Sequence, residues 1–235
     1  MKACLDEHVQ ADDETMVRAR SHDESVRSMA VERTTPRRPG RPRNLEPSPE
    51  FVARTSEIVE TAARVFQAKG YDAGSLDDVA AALDLRKASL YYYVHSKAEL
   101  LYLVFDRAIS LALARLADAL LIEDPRERLE TLIRDQTVNV AREPAFFTVF
   151  FDQRPRLAPA YESEIRAKER QYLRIFREAV ASAVDQGSLS PVDPRYGAQA
   201  ILGMTSWVYK WFDPTRDDPE RFATTCIELI LGPGA

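Results

Sequence analysis

Residues 75–101, SLDDVAAALDLRKASLYYYVHSKAELL, constrain the fold more than any other part of the chain. They read as two short helices and the start of a longer one. Ser75 suits a helix N-cap, and Asp78 three residues on completes an acidic variant of the capping box. Val79, Ala80 and Leu83 give that helix an apolar face at helical spacing. Asp84 falls where the chain must turn, a position that favours glycine but tolerates aspartate in the left-handed region. Leu85 then re-enters the core, and 86–92 is expected as a second helix with Leu90 turned inward. Two short helices joined by a tight turn form a helix-turn-helix, a unit whose second helix lies in the major groove of DNA.

The exposed residues of that second helix suit such a groove. Lys87 is a cation that reaches phosphates or guanine edges, Ala88 is small enough to let the helix approach a thymine methyl, and Ser89 is a short hydroxyl donor. Tyr91, Tyr92 and Tyr93 offer hydroxyls for phosphates and rings for packing. Adjacent residues point about 100° apart around a helix, so the three tyrosines cannot all be core. A helical hairpin inside some bundle would use them equally well. The surrounding stretch decides between the two readings.

That stretch resembles the DNA-binding signature of the TetR family of transcriptional regulators. The resemblance is carried by Val79-Ala80, the Leu83-Asp84-Leu85 turn, the run Lys87-Ala88-Ser89-Leu90-Tyr91-Tyr92 and Ser96-Lys97-Ala98-Glu99-Leu100-Leu101, and it covers residues 51–101. Three departures stand out: Asp84 replaces the usual Gly, Arg86 the usual Ser cap, and Tyr93-Val94 the usual His-Phe. The resemblance implies an all-α fold, with a three-helix helix-turn-helix DNA-binding domain at 49–97 and an all-helical ligand-binding and dimerisation domain at 98–235. It implies a homodimer on a double-stranded, pseudo-palindromic DNA operator, with repression as the usual mode. The expected contacts to DNA are Ser75, Arg86, Lys87, Ala88, Ser89, Tyr91, Tyr92, Tyr93 and Lys97, joined from the preceding arm by Arg41 and Arg43.

Composition narrows the remaining classes. A hydrophobic fraction of 45% and a charged fraction of 29% are those of an ordinary globular protein. The formal net charge of −5 means that contact with DNA must come from local clusters. No apolar run approaches the ~18 residues of a membrane span, and no signal-peptide core is visible near the start, so a cytoplasmic protein without membrane contact is expected. Cys4 and Cys226 lie near opposite ends, which argues against a disulfide framework. His8, His22 and His95 have no metal-ligand spacing, so neither a metal nor another cofactor is expected.

Residues 1–48 are expected to be disordered, being polar and without periodicity. Within them 33–43 switches to arginine, proline and glycine with no acid, as in arms that slide into the narrow, electronegative minor groove of A·T pairs. A flexible basic linker is the plainer alternative. Met29 is a candidate for the translation start, since the acidic stretch before it has no evident role.

The rest of the chain is periodic at helical spacing, with helices expected at 49–69, 96–122, 126–142, 144–153, 161–186, 195–212 and 219–231. Gly70 is placed to stop the first, and Asp-Pro pairs at 124–125, 193–194 and 218–219 mark later starts. The helix at 195–212 is apolar nearly all round, which predicts burial on every side, part of it against a second copy. FFDQRPRLAP, the GSLS-PVDP loop and SWVYKWFDP are similar to the family members whose effectors are acyl-CoA thioesters and related lipid or steroid catabolites. Phe146, Phe147, Phe150, Tyr172, Phe176, Met204, Trp207 and Trp211 are candidates to line an apolar pocket, with Arg154 and Arg156 meeting an anionic headgroup. Ordinary core aromatics and solvated arginines would give the same pattern. No histidine or cysteine accompanies Glu162, Glu164 and Glu169 as a nucleophile or base, so no enzyme is expected. A helical acyl-CoA or lipid carrier is the rival, and it would need neither the tyrosine-rich helix nor the arginine arm.

Overall fold

A computed structural model describes residues 48–232, and every regular element among them is helical. The expectations for the arm, Arg41, Arg43, Cys4 and Met29 lie outside the described residues. The helices are α1 (Pro49–Ala73), α2 (Leu76–Ala82), α3 (Lys87–Leu90), α4 (Lys97–Arg115), α5 (Pro125–Arg142), α6 (Pro144–Asp152), α7 (Pro159–Asp185), α8 (Pro194–Ser206) and α9 (Pro219–Leu231). Six of these nine carry proline in the first turn, where its missing N–H has no intrahelical partner to lose. Asp124, Asp193 and Asp218 cap three of them through their carboxylates.

Helix α1 buries Ile58, Val59, Ala62, Ala63 and Phe66. At Gly70 φ is +76°, a left-handed conformation that breaks the helical path where the sequence places the stop, and the chain then makes one further turn to Ala73. The capping box of α2 is complete. The Asp78 amide donates to Ser75 Oγ at 3.1 Å, and the Ser75 amide donates to the Asp78 carboxylate at 2.9 Å. Asp84 adopts φ +52°, so the turn into α3 is made by a residue with a Cβ in the region glycine usually fills.

Three helices, α3, α4 and α8, are shorter than their patterns predict. Helix α3 ends at Leu90 instead of continuing to Tyr92. Tyr92 and Tyr93 donate to Ser89 O and Leu90 O at 3.3 and 2.9 Å, the tighter i to i+3 pattern of a turn. Packing explains the change, because the rings of Tyr92 and Tyr93 lie 5.7 and 5.0 Å from that of Phe51 on α1. Helix α4 stops at Arg115 rather than Ile122, and a 3-10 turn at Ala119–Leu121 follows. The tighter winding buries Leu116 and Ala119 and leaves Leu120 and Leu121 exposed.

The core is continuous from α1 to α9, with Phe66, Phe105 and Phe176 among its largest fully buried side chains. Helix α5 lies at the centre of the C-terminal half, packed against α4, α7, α8 and α9, while α6 packs against both α1 and α4. Along α8 the expected continuous helix to Phe212 ends at Ser206 and tightens into a 3-10 turn at Trp207–Lys210. That change of winding swings Trp207 and Trp211 outward, to 59% and 42% exposure, so burial on every side does not hold for the single chain.

The Asp78 carboxylate also accepts from Lys69 Nζ at 2.6 Å. The Lys69 bond first, then the Ser75 bonds, pull its pKa down from 3.8 to about 2. A depressed carboxylate stabilises the fold fully above its unfolded pKa, and the contribution is lost as pH falls through about 2. Asp78→Asn is therefore expected to lower the urea midpoint at neutral pH and to flatten its fall between pH 4 and pH 2. Curves for the two proteins that stay parallel over that window would remove the capping box from the stability of this domain.

Candidate nucleic-acid interface and effector cavity

The residues expected at DNA form one exposed ridge. Arg86, Lys87, Ala88, Ser89, Tyr91 and Tyr92 are all exposed, and Leu90, fully buried beneath them, fixes the ridge to the core. Ser75 is spent on capping α2, and Tyr93 is half-buried against Phe51. Lys87 Nζ is 2.8 Å from the Asp77 carboxylate, the first cause of its raised pKa. Both groups are more than half exposed, and such a pair is worth little and exchanges readily for a phosphate. Arg86 occupies the N-cap of α3 without a side-chain capping bond, a consequence of a guanidinium standing where a hydroxyl would accept. Lys97 is folded back. Its ammonium lies 4.4 Å from the centre of the Tyr71 ring and donates to the Asp72 carbonyl at 3.1 Å.

The second feature is an apolar cavity of about 190 Å³ lined by α4, α5, α6, α7 and α8 and open on one side. Phe147, Phe150 and Phe151 come from one face of α6, at the i, i+3, i+4 spacing that puts them together. Ile109 and Ala112 of α4, Leu173 of α7 and Leu202 of α8 complete the apolar wall. Polar groups enter at Gln136, Glu169, Tyr172, Gln199 and Ser206. Tyr172 donates to the Gln136 amide oxygen, and Gln136 Nε2 donates to Ser206 Oγ at 3.0 Å. Glu169 meets the Arg154 guanidinium at 3.1 Å, and that guanidinium lies 6.0 Å from the Phe105 ring.

Of the ten pocket residues expected from the sequence, Phe147, Phe150 and Tyr172 line this cavity, Arg154 borders it through Glu169, and Arg156 turns away from it to pair with Asp72. The other five lie elsewhere. Phe146 faces a groove between α1, α4 and α6, on the side of α6 away from the cavity. Phe176 is fully buried behind Tyr172, its ring 5.4 Å away. Met204 lines a surface groove with Val192, Leu229 and Ile230. Trp207 is carried outward by the 3-10 turn, and Trp211 packs edge-on against Phe222 at 4.8 Å. The wall residues that the sequence reading missed are Phe151, Leu173, the polar Gln136, Glu169, Gln199 and Ser206, and the apolar residues of α4 and α8. Gln136 was legible, since it interrupts the apolar stripe of α5, whereas Ser206 and Gln199 carry no such mark.

The two sites are physically joined through α6. Gln67 of α1 is 3.4 Å from Thr148, and Arg156, just past α6, pairs with Asp72 at 2.5 Å. At the end of α6, Asp152 accepts from the Tyr209 hydroxyl at 2.9 Å and from Lys210 at 2.8 Å. The helix that walls the cavity is thus tied to the end of α1 next to the helix-turn-helix and to the turn after α8.

This arrangement is that of a two-part, all-helical bacterial regulator. Residues 58–103 match the family description "Bacterial regulatory proteins, tetR family", and residues 123–232 match "Tetracyclin repressor-like, C-terminal domain". The crystal structure of apo AibR is 31% identical, superposes with a TM-score of 0.71 and covers 77% of this chain and 100% of its own. AibR has also been solved in complex with isovaleryl coenzyme A and operator DNA. A TetR/AcrR-family regulator from Thermobifida fusca is 32% identical, with a TM-score of 0.62 over 78% of this chain and 99% of its own. The HTH-type transcriptional repressor KstR2 of Mycobacterium tuberculosis is 25% identical over 169 residues, 69% of this chain and 82% of that protein. The chain belongs to the TetR family, and it is a ligand-responsive, DNA-binding transcriptional repressor rather than a lipid carrier. Among the described residues no helix is long and apolar enough to cross a membrane.

Proposed function

We propose that this chain represses transcription in the cytoplasm as a symmetric dimer and is released from its operator by an acyl-CoA thioester seated in the cavity of α4–α8. One observation carries the reading: the helix that supplies the cavity's phenylalanines, α6, also packs against α1 of the helix-turn-helix domain. The complex of the 31% identical AibR with isovaleryl coenzyme A and operator DNA supports it. The dimer seam falls on α9, α8 and the loop before α8, where Val192 is 39% and Leu229 73% exposed beside Met204 and Ile230. Two copies then present their α3 ridges to half-sites ~34 Å apart. In this reading the chain acts by binding alone.

An effector moves the population off DNA only by its differential affinity for the two states. Acyl-CoA thioesters are expected to bind the dimer in calorimetry and to release operator in gel-shift assays. If none binds while a small aromatic or a cationic drug releases the DNA, the effector class is wrong and the repressor remains.

The cations of the ridge and of the start of α4 give a second test. Lys97→Ala is expected to weaken operator binding almost uniformly across sequences and to lower the slope of log affinity against log salt by about one. Lys87→Ala should change the preference among operator variants. An unchanged slope for the first assigns Lys97 to the Tyr71–Asp72 contact alone.

Coupling gives a third. Arg156→Ala removes the tie to Asp72 without touching the cavity wall. It is expected to leave effector affinity in the absence of DNA within about twofold and to raise the effector concentration needed for release. Equal release by the two proteins would show that the tie carries no coupling.

A further inference from the structure

Among the polar groups of the cavity, three form a directional chain. Tyr172 is 8% exposed, and burial together with the Asp135 charge raises its pKa, so the phenol keeps its proton and donates it to the Gln136 oxygen. That bond sets the orientation of the Gln136 amide. The reverse orientation would turn the amide nitrogen to Tyr172 and leave the buried phenol proton without an acceptor. With its oxygen occupied, Gln136 directs its nitrogen to Ser206 Oγ at 3.0 Å. Ser206 therefore acts as the acceptor in that bond and keeps its own proton to give, and Gln136 keeps a second N–H. Gln136 and Ser206 both line the cavity, with Ile109, Phe150 and Leu202 among their apolar surroundings. The wall carboxylate of Glu169 is held by Arg154.

Donors without a partner select a ligand that brings an acceptor. We propose that the Tyr172–Gln136–Ser206 chain is a carbonyl reader: Ser206, assisted by Gln136, donates to the thioester oxygen of the effector, and the cavity admits only a short acyl group beside it. The size limit follows from volume. A cavity of about 150 Å³ accommodates a benzene, so 190 Å³ holds a short straight or branched acyl group, whereas a fused-ring steroid nucleus or a long fatty chain would have to leave part of itself outside, through the open side. Tyr172 is a positioning residue, acting through Gln136, whereas Ser206 touches the ligand. The inference rests on the acyl-effector reading and deepens it by naming the atom that is read and the length of chain accepted.

The test uses the full-length dimer and three probes: isovaleryl-CoA, dodecanoyl-CoA, and the S-alkyl-CoA thioether with the isovaleryl carbon skeleton but no carbonyl. Calorimetry is expected to show the short thioester binding at least tenfold more tightly than the thioether or the dodecanoyl ester. Ser206→Ala and Gln136→Leu should reduce that thioester preference to within about twofold, and Tyr172→Phe should reduce it in part. Thermal melts identify any variant that fails to fold, and Ser206→Ala, a small change at a half-buried position, keeps the test open if Gln136→Leu does so. Equal binding of thioester and thioether by the parent protein overturns the carbonyl reader, as does an undiminished preference in folded Ser206→Ala. Tighter binding of the dodecanoyl ester overturns the size limit. If CoA thioesters release operator while these variants are indifferent, the inference falls and the acyl-CoA repressor stands. If no CoA compound binds but short ketones or free acids bind in a Ser206-dependent way, the reader stands and the CoA reading falls.

Discussion

The packing of α6 between α1 and the cavity is the contact on which the rest of the structure depends. Nine residues rise only about 13 Å, and an isolated helix of that length is not stable in water. Its helical state comes from its neighbours. Phe147 and Val149 are buried, and the Phe150 ring lies 5.2 Å from that of Phe105 on α4. Thr148 meets Gln67 of α1 on another face. Asp152 then anchors the last turn to Tyr209 and Lys210. A helix held only by what surrounds it follows its surroundings. A group entering between Phe147, Phe150 and Leu173 pushes on the same element that supports the end of α1.

The DNA-binding half was legible because its signals are local. Ser75 and Asp78 close a box within four residues, and Asp84 makes the turn in the left-handed conformation its position demands. Asp-Pro pairs likewise marked helix starts in the C-terminal half. The cavity was less legible because it is assembled from five helices, and membership depends on rotation about each axis. Along α6 the i, i+3, i+4 face of Phe147, Phe150 and Phe151 was readable, but the reading took Phe146 in place of Phe151. Beyond Ser206 the helix tightens to 3-10, and the periodicity that would carry Trp207 and Trp211 inward no longer applies. Large aromatic side chains drew attention in the sequence, yet small or polar ones decide the cavity's chemistry.

Helix α5 shows why those polar residues tolerate burial. It carries many charged side chains and lies at the centre of its half of the protein, with Gln136 and Thr137 buried and bonded along it, and Asn139 buried with its Oδ1 unpartnered. Thr137 returns its hydroxyl to the Ile133 carbonyl at 2.7 Å, as Thr205 does to Ile201 at 2.8 Å on α8. Gln136 has both ends of its amide engaged. Each buried polar group that finds a partner avoids the cost of an unmade bond. The Tyr172 and Ser206 partners lie on α7 and α8, so the bonds also fix the rotation of α5 against both helices. A hydrophobic residue at 136 would pack in several rotations, whereas the amide accepts one.

The size of the switch sets limits on what throws it. Turning a population from 1:99 to 99:1 requires a differential affinity of about 5.5 kcal/mol. The exposed Arg156–Asp72 pair contributes no more than about 1 kcal/mol, so breaking it cannot drive release. Its position at the surface suits it to transmit a displacement, because parting two solvated charges leaves neither buried and unpaired. The larger energies lie in the apolar contact of α6 with α1 and α4 and in the wall of the cavity. Moving a buried phenylalanine ring out of register costs about as much as the transfer of its side chain, roughly 1.5–3 kcal/mol. Two such rings, Phe147 and Phe150, lie between the cavity and the DNA-binding half. Displacing both is of the order the switch requires, and an effector that fills the cavity without moving them would bind and leave the repressor on its operator.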